Sequence, residues 1–483
     1  ALWIAESQMM KETEDVVHMS LDFLPLRSYA NITEGNALRL DWESVVPKHQ
    51  LSYIMGNPPF VGYSLQSKEQ KKDILSIYVN EKGKPYKTAG KIDYVAGWYF
   101  KASQLIQGTN IRIAFVSTNS ITQGEQVAGV WKPLYDRFGI HIDFAYRTFR
   151  WDSEANLKAH VHCVIVGFSV APNNAEKRIY SEEHFQMAEN INAYLMDAPT
   201  VFIESRSKSL CEVPEMLYGN KPTDGGFLFL TNDEYQDVQK REPEILKYIR
   251  RVYGASEFIN NKPRFCIWLV GVSPAEVRKS KFIMERVESV RKFRLASTKA
   301  ATRKSAEMPT LFQEVRHPNS DYIIVPRHSS ETRKYIPLGF VSPEIIVNDA
   351  VQIIPNATTY HFGVLTSNVH MAWMRAVCGR IKSDYRYSKD IVYNNFPWPT
   401  PTEEQKTKIE QTAQGILDAR ALYTDCSLAD LYDEVTMPVE LRRAHQANDK
   451  AVMAAYGFPV RTTTEASCVA ELMRMYQRLV EGK

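Results

Sequence analysis

The chain has 483 residues, 44% hydrophobic and 24% charged, with a formal net charge of +3. That length exceeds one ordinary core, so about two to four domains are expected, with the composition of a soluble globular protein. No apolar run is long enough to cross a bilayer and no signal peptide opens the chain. The six cysteines (Cys163, Cys211, Cys266, Cys378, Cys426 and Cys468) lack C-x-x-C spacing, which argues against a zinc site or disulfide framework and for reduced thiols in a cytoplasmic protein.

In chain order, Leu2, Ile4, Ala5 and Met9 recur at helical spacing, so the chain opens inside a helix and is expected to be part of a longer protein. A short strand is expected over 31–33, then the turn Gly35-Asn36-Ala37-Leu38, then an apolar strand ending at Gly56. Four residues follow that folding alone does not explain: Asn57, Pro58, Pro59 and Phe60. Two consecutive prolines fix φ and remove two backbone donors, so the tetrapeptide is a rigid loop. The Asn57 carboxamide oxygen and the Pro58 carbonyl can accept both hydrogens of an exocyclic amino group, and Phe60 can stack on the ring carrying it. Beyond this loop the pattern predicts a helix over 93–106 with Asp93 as its cap, a buried strand over 111–117 and a polar loop at Thr118-Asn119-Ser120. Two further strands are expected over 140–146 and 161–168, close enough to pair antiparallel, with Phe149 and Trp151 between them. In an open α/β sheet, ligands bind beyond the carboxyl ends of the strands, where the loops after 56 and 117 would lie side by side.

Asn-Pro-Pro-Phe at the end of a strand resembles the catalytic motif of amino-methyltransferases that modify adenine, or less often cytosine, in DNA. That resemblance implies a base flipped from double-stranded DNA, S-adenosylmethionine as methyl donor, and Asn57, Pro58, Pro59 and Phe60 as the catalytic loop. Gly-Asn-Ala-Leu is similar to the loop meeting the cofactor's adenine ring, which makes Asn36 and Ala37 the cofactor candidates, with Phe149 or Trp151 walling the base. The order of motifs is that of the γ class, whose Phe-x-Gly-x-Gly turn is N-terminal. Nothing upstream of Asn36 fits that turn, so an N-terminally truncated chain that binds cofactor weakly and is inactive alone is expected.

From Glu215 to Gly226 the glycines and prolines suggest a linker. Strand-like runs at 322–325, 345–347 and 351–354 then alternate with basic loops. Between Arg291 and Lys334 ten Lys or Arg residues face four acids, a candidate phosphate-binding face containing Arg303, Lys304, Arg327 and Lys334. Glu331 and Arg333 would point the same way if extended, suiting the two bases of one G·C pair. From 402 the texture is helical, with Ile409, Ala413, Ile416, Leu417 and Leu422 on one face and 447–455 on another, read as packing elements.

With the segments Arg264–Leu269, Pro326–Pro337, Arg380–Ser388 and Asn394–Pro399, the whole chain resembles the single-chain type IIG restriction-modification enzymes of the MmeI type. The expected fold class is α/β: a partial Rossmann-like class I methyltransferase core over 1–214, a mixed α+β target-recognition domain over 215–401 and a C-terminal helical segment over 402–483. The expected function is sequence-specific DNA adenine-N6 methylation. A DNA-binding specificity module without catalysis is the alternative, as is an amino-methyltransferase acting on cytosine-N4, RNA or protein. No metal site is expected, and no nuclease motif of the Asp…Glu-x-Lys kind stands out.

Overall fold

The computed structural model describes residues 2–18, 32–152, 160–171, 176–182 and 184–482. They fall into two compact units, 1–51 and 52–483. In the first, helix α1 (Leu2–Val17) is followed, after an undescribed stretch, by a tight turn. Residues 32 and 33 are irregular rather than a strand, and position 31 lies outside the described residues. The Asn36 carbonyl accepts from the Arg39 and Leu40 N–H groups, which closes the turn.

The second unit begins with a six-stranded sheet of order β1-β2-β4-β3-β5-β6. Its strands are β1 (Tyr53–Gly56), β2 (Arg112–Thr118), β3 (His141–Asp152), β4 (His160–Ser169), β5 (Lys177–Ser181) and β6 (His184–Ala188). The edge strand β1 runs parallel to β2, with Gly56 opposite Phe115. β4 is antiparallel to β3, as the short separation of the two runs predicts, and antiparallel to β2 on its other side. β3 continues to Asp152, so Phe149 and Trp151 lie in the strand itself and not in a connecting loop. Helices α2 (Lys68–Ile77), α3 (Ala96–Leu105) and α4 (Gly124–Phe138) belong to the same region. Alternate β2 residues Ile113, Phe115 and Ser117 are buried, the period-two signature of a packed strand. Behind them Tyr99 of α3 stacks on Phe168 at 5.4 Å and meets Phe115 and Trp131 edge-on, each at 5.2 Å. This aromatic cluster backs the carboxyl ends of β1 and β2, where the loops emerge.

The next region has two four-stranded sheets and a three-stranded one. They draw on β7 (Leu217–Tyr218), β8 (Phe229–Leu230), β9 (Ile249–Tyr253), β10 (Phe265–Ile267), β11 (Tyr322–Pro326), β12 (His328–Ser329), β13 (Gly339–Val341), β14 (Ile346–Val347), β15 (Val351–Pro355), β16 (Gly379–Ile381) and β17 (Asp384–Arg386). The order is β14-β9-β10-β8, then β13-β11-β15-β7, then β12-β17-β16. The stretch read as a linker is built into this framework. β7 pairs with β15, Asn220 is buried and donates to the Val347 carbonyl, and the buried Asp224 carboxylate accepts from Gly226 and Leu228. Its turn residues serve a folded loop, which composition alone does not distinguish from a flexible one.

The basic stretch is divided by burial. Arg294, in α5 (Lys281–Leu295), is 0% exposed. Its guanidinium donates to the carbonyls of Pro222, Thr223, Ser305, Met308 and Leu311 at 2.7–3.1 Å. It therefore belongs to the core and not to any phosphate-binding face, because burying so polar a group is tolerable only with every donor satisfied.

The C-terminal region is helical, as expected. Helices α6 (Glu403–Ala421), α7 (Val439–Tyr456) and α8 (Glu465–Glu481) dominate it. Ile409, Ala413 and Ile416 are buried, whereas Leu422 lies beyond α6 and is 68% exposed, so it leaves the apolar face. α7 buries polar groups: Asp449 accepts from Tyr335 at 2.6 Å and from Asn368 N–H at 2.8 Å, fixing this segment against residues of the preceding region.

Replacing Arg294 by Met leaves five buried carbonyls without their donor and is expected to lower the unfolding free energy by about 3–5 kcal/mol. Arg303→Met, at an exposed residue, should change it by less than about 0.5 kcal/mol. Urea denaturation of the two variants checks the contrast.

Candidate functional site

The Asn-Pro-Pro-Phe loop leaves the carboxyl end of β1 with each residue in a different environment: Asn57 and Pro59 are exposed, Pro58 is buried and Phe60 is half-buried. A β-carbon on the preceding Gly56 would lie 3.2 Å from the Phe115 ring, so the strand reaches the loop through a position with little room for a side chain. The Pro59 carbonyl is taken by the Val61 N–H at 3.1 Å. Among the described residues, neither the Asn57 carboxamide nor the Pro58 carbonyl has a hydrogen-bond partner. The loop thus presents two unspent acceptors on a backbone that two prolines hold still.

Asp93 ties the chain just after this loop to the loop after β2. It is 7% exposed, and its carboxylate accepts from the Tyr63 N–H at 2.9 Å and from the Ser120 hydroxyl. Ser120 also shares a hydrogen bond with Thr118 at the end of β2. Asp93 N–H donates to Gln126 of α4, and the Val61 carbonyl accepts from Tyr94 N–H at 2.9 Å. The helix cap expected of Asp93 is absent: α3 starts without a side-chain cap, and the carboxylate joins two loops instead. A buried carboxylate with two donors satisfies the condition for keeping such a group out of water.

Beyond these loops lie two cavities. One, of about 340 Å³, is lined by Tyr63, Asp93, Ser120 and Gln126 on one side and by Tyr218, Arg327, Arg380, Arg386 and Tyr387 on the other. The second, of about 880 Å³, is lined by Asn119, Thr122 and Gln123, by residues of β3 to β6, by Glu331, Arg375 and Arg380, and by Glu465 of α8. Gln123 and Arg380 border both. The walls meet where α4 begins: Gly124 has φ +53°, and a β-carbon there would lie 3.1 Å from the Gly379 backbone. That approach needs a residue with no side chain.

Comparison with known proteins accounts for all three regions. Residues 1–181 match the family model for the DNA-methyltransferase domain of MmeI, 197–400 its target recognition domain and 401–482 its C-terminal domain. The chain belongs to the MmeI family. It is 37% identical over its whole length to "DNA methyltransferase A" of Bacillus subtilis (strain 168), covering 54% of that protein. It is 44% identical to the solved type IIL restriction-modification enzyme MmeI in complex with DNA, with a TM-score of 0.88 over 99% of this chain and 64% of that one. The chain thus spans about half the length of the curated relative.

Set in the MmeI framework, the remaining candidates separate. Glu331 and Thr332 lie in a turn closed by Arg333 N–H donating to Ser330, not in extended chain. Glu331 lines the larger cavity 3.8 Å from Arg380, and its N–H donates to Asp384. Arg333 is half-buried, with its outer nitrogen 3.5 Å from the Ser329 hydroxyl. Alternation assumes a strand, and a turn breaks it, so Arg380 replaces Arg333 as the cation facing Glu331. Arg327 lies over Tyr218 at 5.1 Å and donates to the Asp349 carbonyl. Lys334 is exposed beside the Tyr335 ring. Arg303, bonded to the Ser297 and Thr298 carbonyls, and Lys304 line neither cavity. In the first unit Asn36 is half-buried, its side-chain oxygen accepts from Leu38 N–H at 2.9 Å, and the Ala37 carbonyl accepts from Trp42. Sequence reasoning missed Arg380 and Arg386 as a group; only their pairing as a β-hairpin brings them to the seam.

The tie between loops is testable in this chain. Asp93→Ala should speed amide hydrogen exchange at Tyr63 by about 10- to 100-fold, since a hydrogen bond to a charged group contributes about 1.5–3 kcal/mol. Asp93→Asn should retain most of the protection, because its amide oxygen can accept from Tyr63 while its NH₂ donates to Ser120. Equal exchange in wild type and Asp93→Ala would remove the tie.

Proposed function

We propose that this chain carries the methyl-transfer and target-selecting parts of a DNA adenine-N6 methyltransferase of a restriction-modification system. The observation that carries the reading is the pair of unpartnered acceptors, Asn57 Oδ1 and the Pro58 carbonyl, on a rigid loop at the carboxyl end of a parallel strand. A duplex base must leave its stack for its amino group to be reached. Once it does, the two acceptors take its two hydrogens, Phe60 stacks against the ring, and the nitrogen lone pair is held in one direction. S-adenosylmethionine supplies a methyl group on a sulfonium centre. When bound, it would give that methyl to the aligned lone pair and leave as the neutral thioether, with the displaced amine proton passing to solvent water. Asn57 and Pro58 stabilise the positive charge developing on nitrogen, so no side chain need act as a nucleophile.

For the cofactor, Asn36 is the candidate at the adenine ring: its amide is oriented by its own turn, and a fixed amide can meet one polar edge of a planar ring. Residues 1–214 are assigned the chemistry, 215–401 the choice of sequence and 402–483 a supporting role, in a cytoplasmic setting. Arg327, Glu331, Arg333 and Lys334, joined by Arg380 and Arg386, are assigned to DNA near the target, and Arg303 and Lys304 to phosphates away from it.

Expressed as the full-length protein in a methylation-deficient host, the wild type should leave one modified sequence motif in the DNA. Asn57→Ala should reduce methylation by about 10²-fold or more while duplex binding persists. N4-methylcytosine in place of N6-methyladenine would overturn the choice of base, and full methylation by the variant would overturn the role of Asn57. Glu331→Lys should change the methylated motif at one position, a misread pair costing about 1–3 kcal/mol. Arg303→Gln should weaken every sequence alike and lessen the salt dependence.

A further inference from the structure

β3 contains a defect that alters where its side chains go. Its pairing with β4 runs from Tyr146 opposite Ile165 to Phe149 opposite Cys163, so three steps along β3 meet two along β4. The extra residue makes a bulge at Arg147 and Thr148, and bulges re-aim the side chains of the strand that carries them. Regular alternation would send neighbouring residues to opposite faces. Here Arg147, Thr148, Phe149 and Arg150 all border the larger cavity.

Arg147 differs from Arg375 and Arg380 on the same walls. Arg375 is held by both carboxylate oxygens of Glu465, at 2.7 and 2.8 Å, and Arg380 lies 3.8 Å from Glu331. Arg147 is half-buried, and its Nε donates to the Leu195 carbonyl at 3.0 Å. Leu195 itself holds a left-handed φ of +56°. Among the described residues no carboxylate pairs with the Arg147 guanidinium, and burial lowers its pKa with no charge to offset the effect. Unlike Arg294, whose five donors all meet carbonyls, Arg147 has only its Nε bonded among these residues, so its outer donors and its charge are free to meet an anion from outside. Its outer nitrogens form a fork suited to a phosphate.

We propose that Arg147 is a binding site for one phosphodiester of DNA lying in the larger cavity. This rests on the reading that the chain binds DNA, and it adds a contact on the methyltransferase sheet, apart from the recognition loops. The walls favour a polymer over a small anion. A strand held at Arg147 also meets the loop of Asn119, Thr122 and Gln123 on one side and the β16–β17 hairpin on the other. Phe149, on the same bulged segment, stands 5.3 Å from Tyr146 in an edge-on arrangement and offers an apolar neighbour to the sugar.

The test is duplex binding by the full-length protein, followed by fluorescence anisotropy between about 50 and 200 mM salt. Arg147→Gln keeps a donor for the Leu195 carbonyl but loses the charge. It should bind about tenfold more weakly at low salt, with the slope of log affinity against log salt smaller by about 0.9. Arg147→Lys should keep the wild-type slope. Duplexes carrying one neutral methylphosphonate at each position in turn should contain one position where wild type is weakened and Arg147→Gln is not weakened further. An unchanged slope, or loss of thermal stability without a change in slope, would overturn the proposal. So would weaker S-adenosylmethionine binding with DNA binding intact, which would make the anion the cofactor's carboxylate. A wild type that fails to bind duplex would instead overturn the DNA-binding reading itself.

Discussion

The Asp93 carboxylate is the point from which the rest of the site is held. Each of its oxygens accepts from a different loop, Tyr63 after β1 and Ser120 after β2, while its own N–H donates to Gln126 at the start of α4. Two loops that leave neighbouring parallel strands have no intrinsic reason to keep a fixed separation, because their ladder hydrogen bonds end with the strands. A buried acceptor between them supplies the missing constraint. It takes its hydrogen bonds from Tyr63 and Ser120 and from neither Asn57 nor Pro58, so those two acceptors stay unspent. Positioning catalysis has this requirement: the groups that align a substrate must themselves be held by others.

From Asp93 the contacts continue to the recognition region through the Gln126 side chain and then through backbone packing. Gln126 belongs to α4, α4 begins at Gly124, and Gly124 meets the backbone of Gly379. Gly379 opens the hairpin that carries Arg380 and Arg386, and β17 of that hairpin pairs with β12 just ahead of Glu331. Backbone-to-backbone packing at a pair of glycines is stiffer than packing through flexible arms, so the seam keeps α4 and the hairpin of Arg380 and Arg386 in one frame. The C-terminal helices add to that frame: Glu465 holds Arg375 in the wall of the larger cavity, and Asp449 holds Tyr335 and the start of the helix at Asn368.

Much of this was legible in the sequence where local chemistry is unambiguous. An amide, two prolines and an aromatic ring after an apolar run can hardly be anything but a rigid loop, and the burial of Ile113 and Phe115 follows from alternation. What escaped depended on partners distant in the chain. Arg294 counts as one more positive charge until five carbonyls from 222 to 311 surround it. Glu331 and Arg333 share a side only in extended chain, and a turn closes there instead. The glycines and prolines near 220 describe a turn but not whether the turn is folded. Arg147 gave no signal at all, because a bulge is a property of two strands and neither sequence carries it alone.

If the chain draws a base out of the duplex and seats it on the Asn57 loop, that base must lose its stacking on binding. Placing 2-aminopurine at the methylated position and at its neighbours, and recording fluorescence on binding by the wild-type full-length protein, tests it most directly. A strong increase at the methylated position, with little change elsewhere, is expected. Fluorescence that stays quenched at that position while the protein is bound would show the base still stacked, and would contradict it.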